Sequence, residues 1–407
     1  MEQQSFLPFP HGFLWGAASS SHQVEGNTHN NWSVWEQSDR RLSYLKQADL
    51  ITQYGKDNFI SGRGCDHYHY FANDFARAKE LGHNATRISL EWSRIEPQEG
   101  VFDQAAIQHY RDVIVQLKRL DIEPFVTIWH WTLPLWLSSK GGVMHNDAPQ
   151  YFARYAHKMA TALPDVHFWL TVNEPVIYAD NSYLNGNWPP QQRNPFAYFT
   201  ILHNLLHAHR AMYQAIKAAN GNAAVSAAEN IVYYEAYKNK FINRIAKNVG
   251  DYFWNSYFFD RIKDHYDFIG LNHYFHNRIQ LWSSRNENEK VSDMGWELYP
   301  EAIYHVLHTM KKYQKPVYIT ENGLADAKDR YRKWFITETL KNVHRAISEG
   351  VDVRGYLHWS LMDNFEWDKG FWPRFGLLAV NYETLERTPR KSALAFAKIC
   401  KQNGLSL

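Results

Sequence analysis

Two glutamates stand where apolar segments with the pattern of buried β-strands come to an end. The run 316–320 leads into Glu321 and then Asn-Gly, a turn signal, and the run 168–172 leads into Asn173, Glu174 and a proline. In a barrel of parallel strands the carboxyl ends share one mouth, so two such carboxyl groups can face each other. One carboxylate can then attack a sugar's anomeric carbon while the other protonates the leaving oxygen. Alone, each glutamate fits a turn or helix-cap acid equally well.

The elements that must position these glutamates are eight strand-like segments separated by helical patterns. The predicted strands are residues 13–19, 85–93, 123–131, 167–174, 223–230, 267–274, 316–321 and 353–361. Apolar residues at three- and four-residue spacing predict helices over 103–120, 196–219, 302–313, 331–347 and 392–400. This alternation predicts the α/β class, with one (β/α)₈ TIM-barrel domain spanning 1–407 and long loops after the strands.

A doubly wound open sheet is the rival architecture, but no Gly-rich phosphate turn follows an early strand. The polar segments 24–66 and 275–300 are interpreted as irregular loops at the barrel mouth, since strong strands flank both.

Composition narrows the classes of function. The 407 residues carry a net charge of only +2, which gives no basic footprint for nucleic acid. No apolar run reaches the ~20 residues of a membrane span, and the start of the chain lacks the pattern of a secretion signal, so a cytoplasmic protein is expected. Cys65 and Cys400 are then expected to be free thiols. Aromatic residues make up 16%, enough for both a large core and sugar stacking.

Seven motifs, in order along nearly the whole chain, resemble those of glycoside hydrolase family 1, the β-glucosidase and β-galactosidase family. They are FLWGAASSSHQVEG, RISLEWSRIEP, TIWHW, TVNEP, FIGLNHY, YITENG and WSLMDNFEW, the last followed by RFGL. The closest resemblance in style is to compact archaeal β-glycosidases of the family. The resemblance implies a (β/α)₈ barrel that acts on small-molecule β-glycosides without a metal or cofactor.

The resemblance also implies catalytic roles. Glu321 matches the nucleophile and Glu174 the acid/base. Arg87 matches an arginine beside the nucleophile, Tyr274 a tyrosine that hydrogen-bonds it, and Asn272 an asparagine nearby.

Sugar-binding roles follow in the same way. The matching positions are Gln23, His130 and Trp131 for the 3- and 4-hydroxyls, Asn173 for the 2-hydroxyl, Trp359 as the platform under the ring, Glu366 and Trp367 for the 3-, 4- and 6-hydroxyls, Phe375 near the 6-position and Trp296 on the aglycone side. A lone histidine such as His130 is more often a structural residue. The sequence departs from the family pattern at Thr132, His273 and Trp372, and Trp372 is expected to narrow the site or extend its apolar face.

The sequence therefore predicts a retaining exo-β-glycosidase for β-glucosides, and also β-galactosides or β-fucosides. A phosphoglycosidase is disfavoured because an ionised Glu366 would repel a phosphate, and a thioglucosidase because Glu174 is not replaced by Gln. Two further alternatives stay open: a metal hydrolase using the Cys65–His69 run, and a sugar-binding protein without activity. The choice of sugar and the oligomeric state are not determined by the sequence.

Overall fold

The computed structural model describes residues 6–281, 283–287 and 289–406, and its centre is a closed barrel of eight parallel strands. The strands are β1 Leu14–Ala18, β2 Ala85–Ser89, β3 Glu123–Trp129, β4 Phe168–Asn173, β5 Ala224–Asn230, β6 Ile269–Asn272, β7 Val317–Asn322 and β8 Val353–Trp359. Each strand pairs with its neighbours in sequence, and β8 pairs with β1 to close the ring. The predicted barrel is confirmed, and the open-sheet alternative is wrong.

One helix lies between each strand and the next, or after β8, as the predicted alternation requires. These are α1 His67–Glu80, α2 Gln104–Arg119, α3 Ala148–Ala162, α4 Pro195–Ala219, α5 Tyr257–Arg261, α6 Ala302–Met310, α7 Arg332–Ser348 and α8 Lys391–Gln402. Helix α2 shows why such segments are helical. Asp103 caps its start by accepting hydrogen bonds from two backbone N–H groups, and Ile107, Tyr110, Ile114 and Leu117 are buried on one face.

Further helices and short strands lie in the segments that connect these elements. The additional α-helices are Ser21–Val24, Asn31–Glu36, Asp39–Gln47, Leu50–Tyr54, Trp92–Ile95, Leu135–Ser139, Pro175–Ala179 and Phe241–Asp251. Turns of 3₁₀-helix lie at Asp57–Phe59, Gly142–Met144, Tyr237–Asn239, Lys311–Tyr313 and Trp367–Lys369, and π-helical turns at Asp180–Leu184 and Tyr252–Ser256. Short strands are Phe6–Pro8 with Gly404–Ser406, Leu378–Val380 with Arg387–Pro389, and Tyr233–Ala236, His276–Gln280 and Ser283–Ser284 in one sheet.

All eight predicted strands exist, although most are one to a few residues shorter than their sequence patterns. The interpretation of 24–66 and 275–300 as irregular loops is wrong. The first segment contains three short α-helices, and the second forms a three-stranded sheet because His276–Gln280 pairs with Tyr233–Ala236. That partner lies some forty residues earlier, so local sequence could not reveal the pairing. The two cysteines are free and buried, as predicted. Across the described ranges, no helix has both the length and the apolar character to cross a membrane.

The barrel interior is apolar at the amino-terminal ends of the strands. Phe125 is fully buried there and stacks on Phe168 with ring centroids 4.3 Å apart, while Phe268 and Tyr318 pack around the pair. Polar side chains occupy the opposite end, beginning with Arg87. The apolar layer therefore closes the floor of the barrel and leaves the mouth for chemistry.

Replacing Phe125 by Ala should open a cavity that this closed ring cannot fill. We expect a loss of about 3–5 kcal/mol in the free energy of unfolding, measured by urea denaturation followed by tryptophan fluorescence. The half-exposed Val115 of α2 provides a matched control, because Val115→Ala removes apolar atoms without making a cavity. Equal destabilisation by both changes would contradict the assignment of Phe125 to the barrel floor.

Candidate active site

A cavity of ≈ 220 Å³ opens at the carboxyl ends of the barrel strands. Ten of the predicted site residues line it: His130, Trp131, Glu174, Tyr274, Trp296, Glu321, Trp359, Glu366, Trp367 and Phe375. The other four, Gln23, Arg87, Asn173 and Asn272, lie behind this lining and hydrogen-bond to its members. The cavity is smaller than a typical drug-sized pocket and suits a ligand such as one sugar ring.

Glu321 lies near the end of β7, where the strand's register against β6 shifts between Ile319 and Glu321. Position 323 requires glycine, because a Cβ there would lie 1.9 Å from the Trp359 carbonyl oxygen of β8. This close approach of backbones fixes Glu321 at the mouth. Both oxygens of its carboxylate are held: Oε1 accepts from Arg87, and Oε2 accepts from the Tyr274 hydroxyl at 2.8 Å.

Arg87 is the only cation that contacts the Glu321 carboxylate among the residues that the structure describes, and it is completely buried. Its Nε donates to the Thr127 hydroxyl at 2.9 Å, and its Nη2 donates to Asn173 Oδ1 at 2.6 Å. These contacts fix the guanidinium plane from strands β3 and β4. Because these hydrogen bonds fix the guanidinium, its remaining N–H groups have one orientation, and Nη1 donates to Glu321.

Glu174 follows β4 directly and has a left-handed backbone conformation, with φ of 41°. Pro175 then begins the helix Pro175–Ala179, where its fixed φ is favourable. The Oε1 atom of Glu174 accepts hydrogen bonds from Asn272 at 2.9 Å and from Asn230 at 3.0 Å. The ends of the next two strands round the barrel, β5 and β6, therefore orient this carboxyl group.

The two glutamates differ in their electrostatic surroundings. Burial raises the pKa of Glu174 to about 8, with a further contribution from the negative charge of Glu321. Burial also raises the pKa of Glu321, but Arg87 and the Tyr274 hydroxyl oppose that rise. At neutral pH the pair is therefore arranged as an ionised Glu321 facing a protonated Glu174.

A third carboxyl group, Glu366, closes the inner end of the cavity. Gln23 donates to its Oε2 at 3.4 Å and to the carbonyl oxygen of Phe365 at 2.8 Å. Burial, together with the charges of Glu321 and Asp368, raises the pKa of Glu366 to about 8. Because burial favours the neutral form, Glu366 repels a phosphate less strongly than a fully ionised carboxylate would, so the repulsion predicted from the sequence is weakened.

Lys369 also lines the cavity, and its position bears on phosphate binding. Its ammonium group pairs with the carboxylate of Asp368 at 2.7 Å, and that carboxylate also accepts from the Trp188 indole at 2.9 Å. The lysine side chain is exposed but already paired, and a phosphate group would have to compete with Asp368 for its charge.

Aromatic rings form the walls. His130 lies between Trp359 and Trp367, with ring centroids 6.2 Å and 5.8 Å away. Its Nε2 is 3.1 Å from the donating amide of Asn173, and burial lowers the pKa of His130 well below its usual value. The ring is therefore neutral with its proton on Nδ1, an atom that has no hydrogen-bond partner within the described structure. The indole N–H of Trp131 differs, because it donates to the Asn173 carbonyl at 2.8 Å.

Trp296 and Phe375 form the opposite wall with Tyr274. The Trp296 ring lies 5.9 Å from Phe375 and 6.0 Å from Tyr274, so the three rings make one continuous apolar surface near Glu321. Trp296 and Phe375 both line the cavity, and their roles on the aglycone side and near the 6-position stay predictions.

The three departures from the family pattern all lie outside the cavity lining. Thr132 hydrogen-bonds to Glu91. His273 donates from Nδ1 to the carbonyl oxygen of Ile231, just after β5, and burial lowers the His273 pKa to about 4. Trp372 stacks on Tyr54 with centroids 5.1 Å apart. The expectation that Trp372 narrows the site is wrong.

The sequence analysis missed two polar residues beside Glu174. Asn230, at the end of β5, donates to Glu174, and the preceding Glu229 is fully buried next to it. The position of Asn230 could have indicated its role. Residues 223–230 were predicted as a strand, and the last residue of a barrel strand lies at the mouth. Glu229 does not line the cavity, and burial and the charge of Glu174 raise its pKa well above the usual value.

The possible metal ligands of the Cys65–His69 run point to separate partners. The Cys65 thiol donates to the Asp363 carbonyl, His67 pairs with Asp74 at 2.8 Å, and His69 pairs with Asp66 at 2.6 Å. Within the described ranges, no group of three or more His, Cys, Asp or Glu side chains is arranged to hold a metal ion.

Comparisons with known proteins agree with this geometry. The family model for Glycosyl hydrolase family 1 matches residues 6–266 and 236–405. Beta-glucosidase A of Thermotoga maritima is 32% identical over 453 aligned positions, which cover 98% of this chain and 98% of that protein.

Solved structures are similarly close. A beta-glycosidase from Pyrococcus horikoshii is 36% identical and superposes with a TM-score of 0.90 over 99% of this chain and 97% of the other. A beta-glucosidase from Thermotoga maritima in complex with glucoimidazole is 30% identical, with a TM-score of 0.89 over 98% of this chain and all of the other. The chain is therefore a glycoside hydrolase and belongs to glycosyl hydrolase family 1.

Proposed function

We propose that this protein is a retaining exo-β-glycosidase that removes one terminal sugar from β-glucosides, and also from β-galactosides and β-fucosides. The observation that carries the proposal is the pairing of Glu321, held by Arg87 and Tyr274, with a protonated Glu174 in a cavity the size of one sugar ring. Stacked aromatic walls surround the two carboxyl groups in this cavity.

In the first step, Glu321 attacks the anomeric carbon and Glu174 donates its proton to the leaving oxygen. Hydrogen bonds to both oxygens of Glu321 fix the nucleophile before the substrate arrives, which lowers the entropic cost of reaching the transition state. The raised pKa of Glu174 keeps the proton available at neutral pH. The products of this step are a glycosyl ester on Glu321 and the free alcohol.

In the second step, ionised Glu174 takes a proton from water, and that water attacks the anomeric carbon. Esterification has removed the negative charge of Glu321, so the pKa of Glu174 falls and the carboxyl group can act as a base. Cleavage of the ester releases the sugar and restores both glutamates to their starting states.

Retention of the anomeric configuration is general to the family to which the chain belongs, and the hydrogen bonds around the two carboxyl groups support it. Asn272 donates to Glu174 and accepts from Arg87, the cation that contacts Glu321. This chain of contacts holds both carboxyl groups at one site, as attack by Glu321 with proton donation by Glu174 requires.

The inner end of the cavity supports recognition of a single terminal sugar. The free Nδ1–H of His130 and the protonated carboxyl of Glu366 offer donors to hydroxyl groups, and Trp359 offers a ring face for stacking. From behind this lining, Asn173 donates to His130 and Gln23 donates to Glu366, so both position sugar-binding groups. The family resemblance also assigns Asn173 to the 2-hydroxyl. Glucose and galactose differ only in the 4-hydroxyl, and these flexible polar groups can address either epimer.

Replacing Glu174 by Ala tests its role as the acid. Since kcat/KM reports the glycosylation step, its value for an alkyl β-glucoside should fall by about 10²–10⁴, whereas the value for a dinitrophenyl β-glucoside should fall far less, because that leaving group needs no proton. Initial rates measured on both substrates provide the comparison. Glu383→Ala, at an exposed surface glutamate, serves as the control and should leave both values unchanged. Equal losses on both substrates would contradict the acid role.

A substrate panel tests the proposed activity itself. Nitrophenyl β-glucoside, β-galactoside and β-fucoside should be hydrolysed with or without a chelator, and early product should have the β-configuration by proton NMR. The β-glucoside 6-phosphate should be a poor substrate, because Lys369 is already paired with Asp368. An α-configured first product would overturn retention, chelator sensitivity would favour a metal hydrolase, and inactivity on every substrate would favour a sugar-binding protein.

A further inference from the structure

The helix Phe241–Asp251 turns its apolar side to the solvent and a polar residue to the protein interior. Its buried side is polar: Asn243 is 2% exposed, donates to the Tyr237 carbonyl at 2.8 Å and accepts from the Leu281 backbone N–H at 3.0 Å. Its outward side is apolar, with Phe241 70%, Ile242 51%, Ile245 45% and Val249 48% exposed. An amphipathic helix ordinarily turns its apolar face to the core, so this arrangement requires a separate explanation.

The exposed apolar surface continues beyond the helix. Tyr252 and Phe253, in the π-helical turn that follows, are 41% and 45% exposed. We call these six side chains the outer apolar face: Phe241, Ile242, Ile245, Val249, Tyr252 and Phe253. Phe196 and Phe199 are a further 84% and 50% exposed at the start of α4, a helix that packs against α5. Clustered exposure on this scale marks an interaction surface, unlike single apolar residues scattered over a protein.

Cations surround the outer apolar face. Lys238, Lys240 and Arg244 are exposed, and none of them forms an ion pair with a carboxylate of the described structure. Lys247, on the same helix, pairs with Asp251 at 3.3 Å, so the one nearby acid on the helix is already neutralised. The rim of the face is therefore positively charged.

We propose that the outer apolar face docks this enzyme on a lipid bilayer that carries anionic headgroups. A helix with Phe and Ile on one side and Lys and Arg at its margins matches the chemistry of helices that lie in the plane of a membrane interface. The apolar side chains enter the acyl boundary, and Lys238, Lys240 and Arg244 remain at the depth of the lipid phosphates, where each contributes electrostatic attraction. Docking of this kind needs no membrane-crossing helix.

A second copy of the chain fits this face less well. A twofold contact would place the outer apolar face against itself and gather the three unpaired cations of both copies around one interface. Like charges brought together at an interface are unfavourable, whereas an anionic lipid surface complements them.

The position of the helix gives the docked enzyme a defined orientation. The chain reaches the helix from the carboxyl end of β5 through the strand Tyr233–Ala236, and the Tyr233 N–H donates to the carbonyl of Phe275, which lines the cavity. The start of the outer apolar face therefore lies near the mouth end of the barrel, and docking brings this side of the enzyme to the lipid surface.

Cosedimentation of the full chain with lipid vesicles tests the proposal. We expect binding to phosphatidylglycerol vesicles, weak binding to phosphatidylcholine vesicles, and partial release in about 0.5 M NaCl, where exposed charges are screened. The double substitution Ile242→Ser with Ile245→Ser should reduce the partition coefficient by at least about tenfold, and Lys240→Glu with Arg244→Glu should also reduce it.

Val115→Ser with Leu394→Ser is the matched control, because these exposed apolar residues lie on α2 and α8, far from the outer apolar face in sequence. It should bind vesicles like the unaltered protein, and thermal melting should show that all variants are folded. Absence of vesicle binding would overturn the proposal, as would equal losses in the control and test variants. If the protein does not bind vesicles but sediments as a dimer, and the double substitution Ile242→Ser with Ile245→Ser dissociates that dimer, the outer apolar face would be assigned to contact with a second copy instead.

Discussion

The buried contact between Arg87 and Glu321 is the interaction on which the rest of the site depends. Three carboxyl groups, Glu174, Glu321 and Glu366, share a small and largely dry cavity, and such groups cannot all be ionised at neutral pH. The guanidinium selects which of them carries the charge, because it contacts Glu321 and neither of the others. The remaining two are then neutral acids, one positioned for a leaving group and one for sugar hydroxyls.

The barrel supplies the precision that this selection needs. Arg87 comes from β2, Thr127 from β3, Asn173 from β4, Asn230 from β5 and Asn272 from β6, and each side chain reaches one point from a different strand end. Because the strands are hydrogen-bonded into a closed ring, a small displacement of one loop leaves the side chains at the other strand ends in place. The apolar floor below, centred on Phe125, keeps that ring from collapsing inward.

Much of the barrel was predictable, because its strand and helix patterns repeat along the chain. Period-two and period-3.6 patterns occur within single elements, so all eight strands and five of the eight barrel helices could be located, although α1, α3 and α5 were not predicted. The motifs placed the site residues on strand ends. Features that depend on distant partners could not be predicted. The small sheet containing His276–Gln280 needs a partner some forty residues away, and the pairing of Lys369 with Asp368 needs a side-chain geometry that sequence does not specify. The neutral state of Glu366 depends on burial and on Glu321 together. No helix was predicted over residues 241–253, and the sequence does not indicate that the apolar side of this helix faces outward.

The most direct measurement is the titration of Glu174 by carbon NMR of glutamate-labelled protein, in the unaltered chain and in Glu321→Gln. The signal is assigned by its loss in Glu174→Gln, and Glu366→Gln separates the contribution of the third carboxyl group. Glu174 should titrate near the value of about 8 in the unaltered protein, and its pKa should fall clearly in Glu321→Gln, because the neighbouring negative charge is gone while Arg87 remains. An unchanged pKa would mean that burial alone protonates Glu174, and it would contradict the account in which esterification of Glu321 converts the acid into the base.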